Sequence, residues 1–395
     1  MNPFDSSLCA TFQQDSRLHL STRPNILHWK LSKMSAFISL ILFLHSAVGA
    51  PNTQRPLHDI NLHKDNKPPK WSALPIRPAR WTDMGHTVDI AIGNPPQQIP
   101  VYLDISSPNT WIVPSTLANK PCPRSPSFNA TLSTTYLPTP KRADFTSGWI
   151  WGRGTMVSDT VAYGSLPAPF QPFIVANKRD GGAGGWNGCP MAGAVGLAPT
   201  GSHFARMVHM GLLEQDLFAL RLREPAELSF GRTNVDLFKG EFTEIPLVRG
   251  SSVWKTTASY LVVEDGERFE LNDEAATLTT ATPGIHVPWG VWQGLMTALG
   301  FDDTAWVAPS VRCEKREGMA NVTFNLRGRN VTLTPYDYTE FWDGLPDGPR
   351  CVSLFVTSEP GRGNSNEVVL GWAFLRAFYS VFDLGEGVVK FASLS

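Results

Sequence analysis

The chain has 395 residues, of which 42% are hydrophobic and 17% charged, a balance that excludes a disordered polymer and supplies enough apolar surface for two lobes. A formal net charge of -1 provides no field that would gather nucleic acid or an anionic membrane, so neither is an expected partner. With 33 glycines, 32 prolines and few long runs at helical spacing, the expected fold class is mostly β.

In chain order, residues 1–50 read as a signal region. Lys30 and Lys33 precede the apolar run from Phe37 to Leu44, and small residues at Val48 and Ala50 suit cleavage after Ala50. Met34 is an alternative start, in which case Cys9 never enters the mature protein. The mature form is expected to be secreted and free of the membrane, with the medium, the cell wall and the vacuole as possible destinations. Residues 51–80 carry Pro51, Pro56, Pro68, Pro69, Pro75 and Pro78 among polar residues, the composition of a lead or pro-segment in which no packed core begins. Export permits disulfides, and the four cysteines of the mature chain, Cys122, Cys189, Cys313 and Cys351, leave three pairings open. Sequons at Asn129, Asn321 and Asn330 fit glycosylated surface loops.

The first strand pattern is Thr87 to Ile92, and Gly93-Asn94-Pro95-Pro96 then forces a turn. Ile99 to Leu103 resumes an extended pattern that breaks at Asp104, Ile105 to Asn109 form a turn, and Thr110-Trp111-Ile112-Val113 reads as the next strand. This order resembles the opening of the pepsin family of aspartic peptidases. Further segments carry the resemblance along the chain: Gly193-Ala194-Val195-Gly196-Leu197, Phe218 to Leu220 with Leu228 to Gly231, Lys239 to Leu247, and the closing run Val369 to Leu384. It implies a bilobal fold of two β-barrel-like lobes, 81–245 and 246–395, around a central cleft, with a disulfide between Cys313 and Cys351 and a flap hairpin running from Phe145 through Val161.

Aspartic peptidases hold a water between two carboxyls that share one proton, because like charges about 3 Å apart do not both ionise cheaply. One carboxylate takes a proton from the attacking water and the other carboxyl donates to the developing oxyanion. Asp104 stands at the first position. The second falls in Ala276-Thr277-Leu278-Thr279-Thr280-Ala281-Thr282-Pro283, where Thr279 replaces the aspartate at a separation of 279 minus 104, or 175 residues. Ile105 replaces the threonine that would link the lobes, Ser106 and Ala281 replace the two loop glycines, and Phe145 stands where the flap tyrosine would be. Ser106, Ser107, Phe145, Thr280 and Thr282 are the expected cleft residues. Thr280 reads otherwise as an ordinary β residue with at most a water-binding role, and His286 as a loop residue.

The reading that follows is a catalytically impaired pepsin homologue, a pseudoprotease that binds extended polypeptide as a monomer. An active acid endopeptidase with an unusual dyad is one alternative. A glycan- or protein-binding module built on Trp149, Trp151 and Trp186 is another. Scattered histidines and the absence of metal-ligand spacing argue for no metal, and no cofactor motif occurs.

Overall fold

The computed structural model describes residues 68–78, 85–117, 126–148, 150–181, 192–302, 309–343, 348–357 and 367–395. The signal region, Met34, Cys9, Cys122, Cys189, Trp149 and Trp186 lie outside the described residues. Among the described residues no helix is long and apolar enough to cross a membrane, and no group of His, Cys, Asp and Glu is placed to hold a metal ion.

The fold is bilobal and mostly β. One seven-stranded sheet runs in the order Thr87–Ile92, Gln97–Asp104, Gly193–Gly196, Trp111–Ile112, Leu166–Gly181, Ile150–Tyr163, Leu137–Ser147, and a pairing of Thr87–Ile92 with Ile150–Tyr163 curls it back on itself. A second runs Arg329–Leu333, Val322–Leu326, Lys255–Val263, Arg268–Leu278, Val368–Leu370, Ile285–Val287, Phe355–Thr357. A six-stranded sheet joins Ser72–Pro75, Glu227–Phe230, Leu217–Arg221, Phe378–Asp383, Val388–Leu394 and Phe238–Pro246, drawing on both ends of the chain.

The strands follow from the sequence pattern. In Gln97–Asp104 the residues Ile99, Val101 and Leu103 fall on one face and are fully buried in the core. The period of two therefore sends Tyr102 and Asp104 to the opposite face, away from that core. Strand patterns expected at Thr87 to Ile92, Phe218 to Leu220 and Val369 to Leu370 lie within strands. One expectation fails. Ser72–Pro75 lies inside the proline-rich stretch where no packed core was expected, yet it pairs with Glu227–Phe230, and Leu74 and Ile76 are buried. The prolines are tolerated because this strand is the edge of its sheet, where a missing N–H breaks no interior ladder.

The two active loops are built on a repeated device. Asp104 pairs in parallel with Gly196, and Leu278 pairs in parallel with Leu370, beside Gly371. A Cβ on Gly196 would stand 2.5 Å from the Ser107 carbonyl oxygen, and one on Gly371 would stand 2.2 Å from that of Gly284. Each loop thus threads past a glycine that lets backbone meet backbone. Trp254 locks the halves together: it is buried, donates Nε1–H to the Leu197 carbonyl at 2.9 Å, and packs edge-on against Phe218 and Phe382. The disulfide joins Cys313 and Cys351, as the resemblance implied, with Cα atoms 4.9 Å apart.

Gly371→Ala leaves no flexible neighbour to yield, so it is expected to lower unfolding free energy by about 3 kcal/mol in urea titration. A second expectation concerns pH. His203 is buried between the Tyr163 hydroxyl and the Pro172 carbonyl, and burial pushes its pKa from 6.5 down to about 4. In that window the unfolded chain binds a proton that the folded one refuses, so stability falls as pH falls from 6.5 to 4, by about 3 kcal/mol for this group. Urea midpoints measured across that range should fall less steeply for His203→Gln.

Candidate active site

Asp104 ends its strand 2% exposed, with donors on both carboxyl oxygens. Oδ1 accepts from the Ser106 amide at 3.0 Å, the Ser106 hydroxyl at 2.7 Å and the Ser107 amide at 3.1 Å. Oδ2 accepts from the Ser147 hydroxyl at 2.7 Å. Three donors thus crowd Oδ1 and one meets Oδ2, which keeps one of the carboxylate's roughly four acceptor directions for a further donor. The first three come from the turn itself, an arrangement in which a short acidic side chain binds the backbone just ahead of it. The fourth comes from the flap.

Across from Asp104, Thr279 begins the loop after the strand Arg268–Leu278 and is 5% exposed. Its Oγ1 accepts from the Ala281 amide at 3.0 Å and lies 2.9 Å from Ser106 Oγ. A hydroxyl has one proton to donate, and Ser106 spends its own on Asp104, so Thr279 is the donor in the Thr279–Ser106 pair. The result is a relay of hydroxyls, Thr279 to Ser106 to Asp104. The Ser106 oxygen is tethered between the two loop positions, touching both.

Thr280 corrects the sequence reading. It is fully buried, donates Oγ1–H to the Leu103 carbonyl at 2.5 Å and accepts the Ile105 amide at 3.2 Å. Its hydroxyl therefore bridges the first loop on both sides of Asp104, across 175 residues of sequence. The reciprocal bond is absent because Ile105 has no hydroxyl. A signal for this was present in the sequence, since Thr280 follows Thr279 as Ile105 follows Asp104.

The flap strands Leu137–Ser147 and Ile150–Tyr163 close over the site. Gly148 takes φ +54°, and a Cβ there would stand 2.7 Å from the Ala281 carbonyl, so the tip rests on the second loop. Beneath it, Phe145 stacks on Trp111 with centroids 4.6 Å apart and planes 14° apart. Trp111 Nε1 is buried without a partner, and Phe145 carries no hydroxyl to accept from it. The cavity left between Asp104, Ser147, Ile150, Thr280 and Ala281 has room for about one water.

The remaining expected residues divide. Ser107 meets the flap close to its tip, its Oγ donating to the Thr146 carbonyl at 3.2 Å. Thr282 is not drawn to Asp104: its Oγ1 lies 3.3 Å from His286 Nε2, and His286 sits in the strand Ile285–Val287. Trp151 is exposed. Of the sequon residues, Asn129 caps a 3-10 turn and Asn321 binds Glu264, while Asn330 is exposed on its strand. Ser147 went unnoticed in the sequence, because a serine near a hairpin tip carries no pattern that says it will touch a residue 43 positions away.

The profile of the eukaryotic aspartyl protease family matches residues 86–394. Vacuolar protease A of Aspergillus fumigatus is 30% identical over 317 residues, covering 77% of each chain. Embryonic pepsinogen of Gallus gallus is 29% identical, over 78% of this chain and 80% of its own. Cathepsin E of Cavia porcellus is 29% identical, over 79% and 82%.

Thr280→Val keeps shape and removes the bridge, stranding a buried amide and a buried carbonyl. It is expected to cost about 2 to 4 kcal/mol in urea unfolding, whereas Thr282→Val costs under about 1 kcal/mol.

Proposed function

The chain belongs to the eukaryotic aspartyl protease family, and from that membership we propose an exported pepsin-fold protein whose cleft binds extended polypeptide without hydrolysing it appreciably. The observation that carries the reading is the Thr279–Ser106–Asp104 relay. Hydrolysis needs a second carboxyl to protonate the oxyanion while the first takes the proton of the water. Threonine offers a hydroxyl whose proton is too tightly held for that role. The Ser106 oxygen, 2.7 Å from Asp104 and 2.9 Å from Thr279, fills the point where two opposed carboxyls would hold a water. Loss of one general acid or base alone removes roughly a hundredfold to ten-thousandfold in rate.

Binding uses the frame of the cleft and not its chemistry. Leu137–Ser147 is an edge strand, so its backbone can accept an extended peptide as an added strand. Entry requires the flap to lift, which breaks the Ser147–Asp104 bond. A hydrogen bond to a charged group contributes about 1.5 to 3 kcal/mol to the closed state, and a ligand must overcome that bias. Export rests on the signal region and on the vacuolar naming of several relatives.

The test is cleavage of a broad peptide pool between about pH 2.5 and 6, which brackets carboxyl titration. No turnover above the Asp104→Asn control is expected; turnover abolished by Asp104→Asn would establish the active-endopeptidase alternative instead. For binding, fluorescence anisotropy with labelled unfolded polypeptide should show Ser147→Ala binding about tenfold more tightly than the parent chain, because the closed flap loses its anchor. Equal affinity would remove the flap from the account.

A further inference from the structure

Sharing no lining residue with the cleft cavity, a hollow of about 290 Å³, partly open to solvent, lies where Arg223, Arg316 and Arg376 converge. The three guanidinium groups gather on one short turn. Arg223 and Arg316 both donate to the Tyr336 carbonyl, at 3.1 and 3.3 Å. Arg316 and Arg376 both donate to the Thr339 carbonyl, at 2.8 and 3.2 Å. Two carboxylates answer three cations: Asp337 pairs with Arg223 at 2.8 Å and Glu340 with Arg376 at 2.6 Å. Among the described residues no carboxylate lies within ion-pair distance of Arg316, which stacks over the Tyr336 ring at 4.3 Å. Counted over the described residues, the cluster holds one positive charge in excess.

Unpartnered polar atoms collect in the same place. Arg316 Nε, Arg376 Nε, Trp372 Nε1 and His86 Nδ1 are all buried without a hydrogen-bond partner, and all four residues line the hollow. His86 and Trp372 are each 1% exposed and meet edge-to-face. Native folds leave few such groups unsatisfied, because each keeps the cost of its lost solvation. Capping of the carbonyls at Tyr336 and Thr339 explains the terminal nitrogens of the arginines. It does not explain why the Nε–H groups and the indole N–H are left unpaired on residues that line one hollow.

We propose that this hollow is a seat for a small oxyanion of the phosphate or carboxylate type, held by the Nε–H groups of Arg316 and Arg376 and by Trp372 Nε1. An anion there would neutralise the excess charge and satisfy three buried donors together. Burial foremost lowers the proton affinity of Arg316; the nearby Glu340 and Tyr336 partly offset it, and Arg376 and Arg223 add repulsion. Burial, and then Arg376, hold the His86 pKa near 3, so its ring is neutral, with a contact to the Leu222 backbone and Nδ1 unpartnered. A neutral ring nitrogen can accept the O–H of a hydrogen phosphate.

The test is calorimetric titration of the exported chain with inorganic phosphate and, separately, with acetate, at constant ionic strength in chloride. Saturable binding of at least one of them by the parent chain is expected, weakened at least tenfold in Arg316→Gln and less in Arg316→Lys. Folding of each variant is checked by circular dichroism, and Asp104→Asn should bind as the parent does. Absence of saturable binding of both anions by the parent chain, or equal binding in Arg316→Gln, overturns the proposal.

Discussion

The hydroxyl of Thr280 joins the two active loops, and the geometry of the site depends on it. It reaches across to the Leu103 carbonyl and takes the Ile105 amide, so it holds the backbone on either side of Asp104. Those two backbone groups lie at the end of a strand, where the ladder no longer pairs them, and burial leaves no solvent to do so. Behind each loop a glycine admits the close approach, Gly196 in one half and Gly371 in the other. The arrangement is nearly symmetric, and the asymmetry enters with Ile105, which removes the return bond.

A single buried carboxylate poses a different physical problem from a pair. Two facing carboxyls share a proton and stabilise one another; one alone needs donors from elsewhere. Here the donors are three serines and the turn backbone. Ser106 and Ser107 supply local bonds, and Ser147 brings the flap down as the fourth donor. These hydroxyls leave, between Asp104, Ser147, Thr280 and Ala281, a cavity with room for about one water.

The arginine hollow shows the opposite imbalance. In the cleft one acid gathers four donors, whereas around Tyr336 and Thr339 arginine N–H groups are left unpaired. Both sites sit where elements from distant parts of the chain meet: His86 from the first strand region, Arg223 from the central sheet, Arg316 and Arg376 from the last third. Such junctions are where packing brings together charges that no single segment could place.

The strands, the break at Asp104 and the threonine at position 279 were legible in the sequence, because each is a local pattern: period-two alternation, a turn after an apolar run, a residue type at one position. The Cys313–Cys351 pair was not, since four cysteines left three pairings open until the resemblance chose among them and the fold brought the two together. The edge strand Ser72–Pro75 was not, since its prolines spoke against a core and only its place at a sheet margin makes them harmless. Thr280 looked like an ordinary β residue because its partners lie 175 and 177 positions away. Ser147 and the gathering of three guanidinium groups were invisible for the same reason. The sequence by itself determined which atoms could donate, accept or carry charge. Which of them meet was decided by tertiary structure alone, because hydrogen bonds act over about 3 Å and the chain sets no such distance until it is folded.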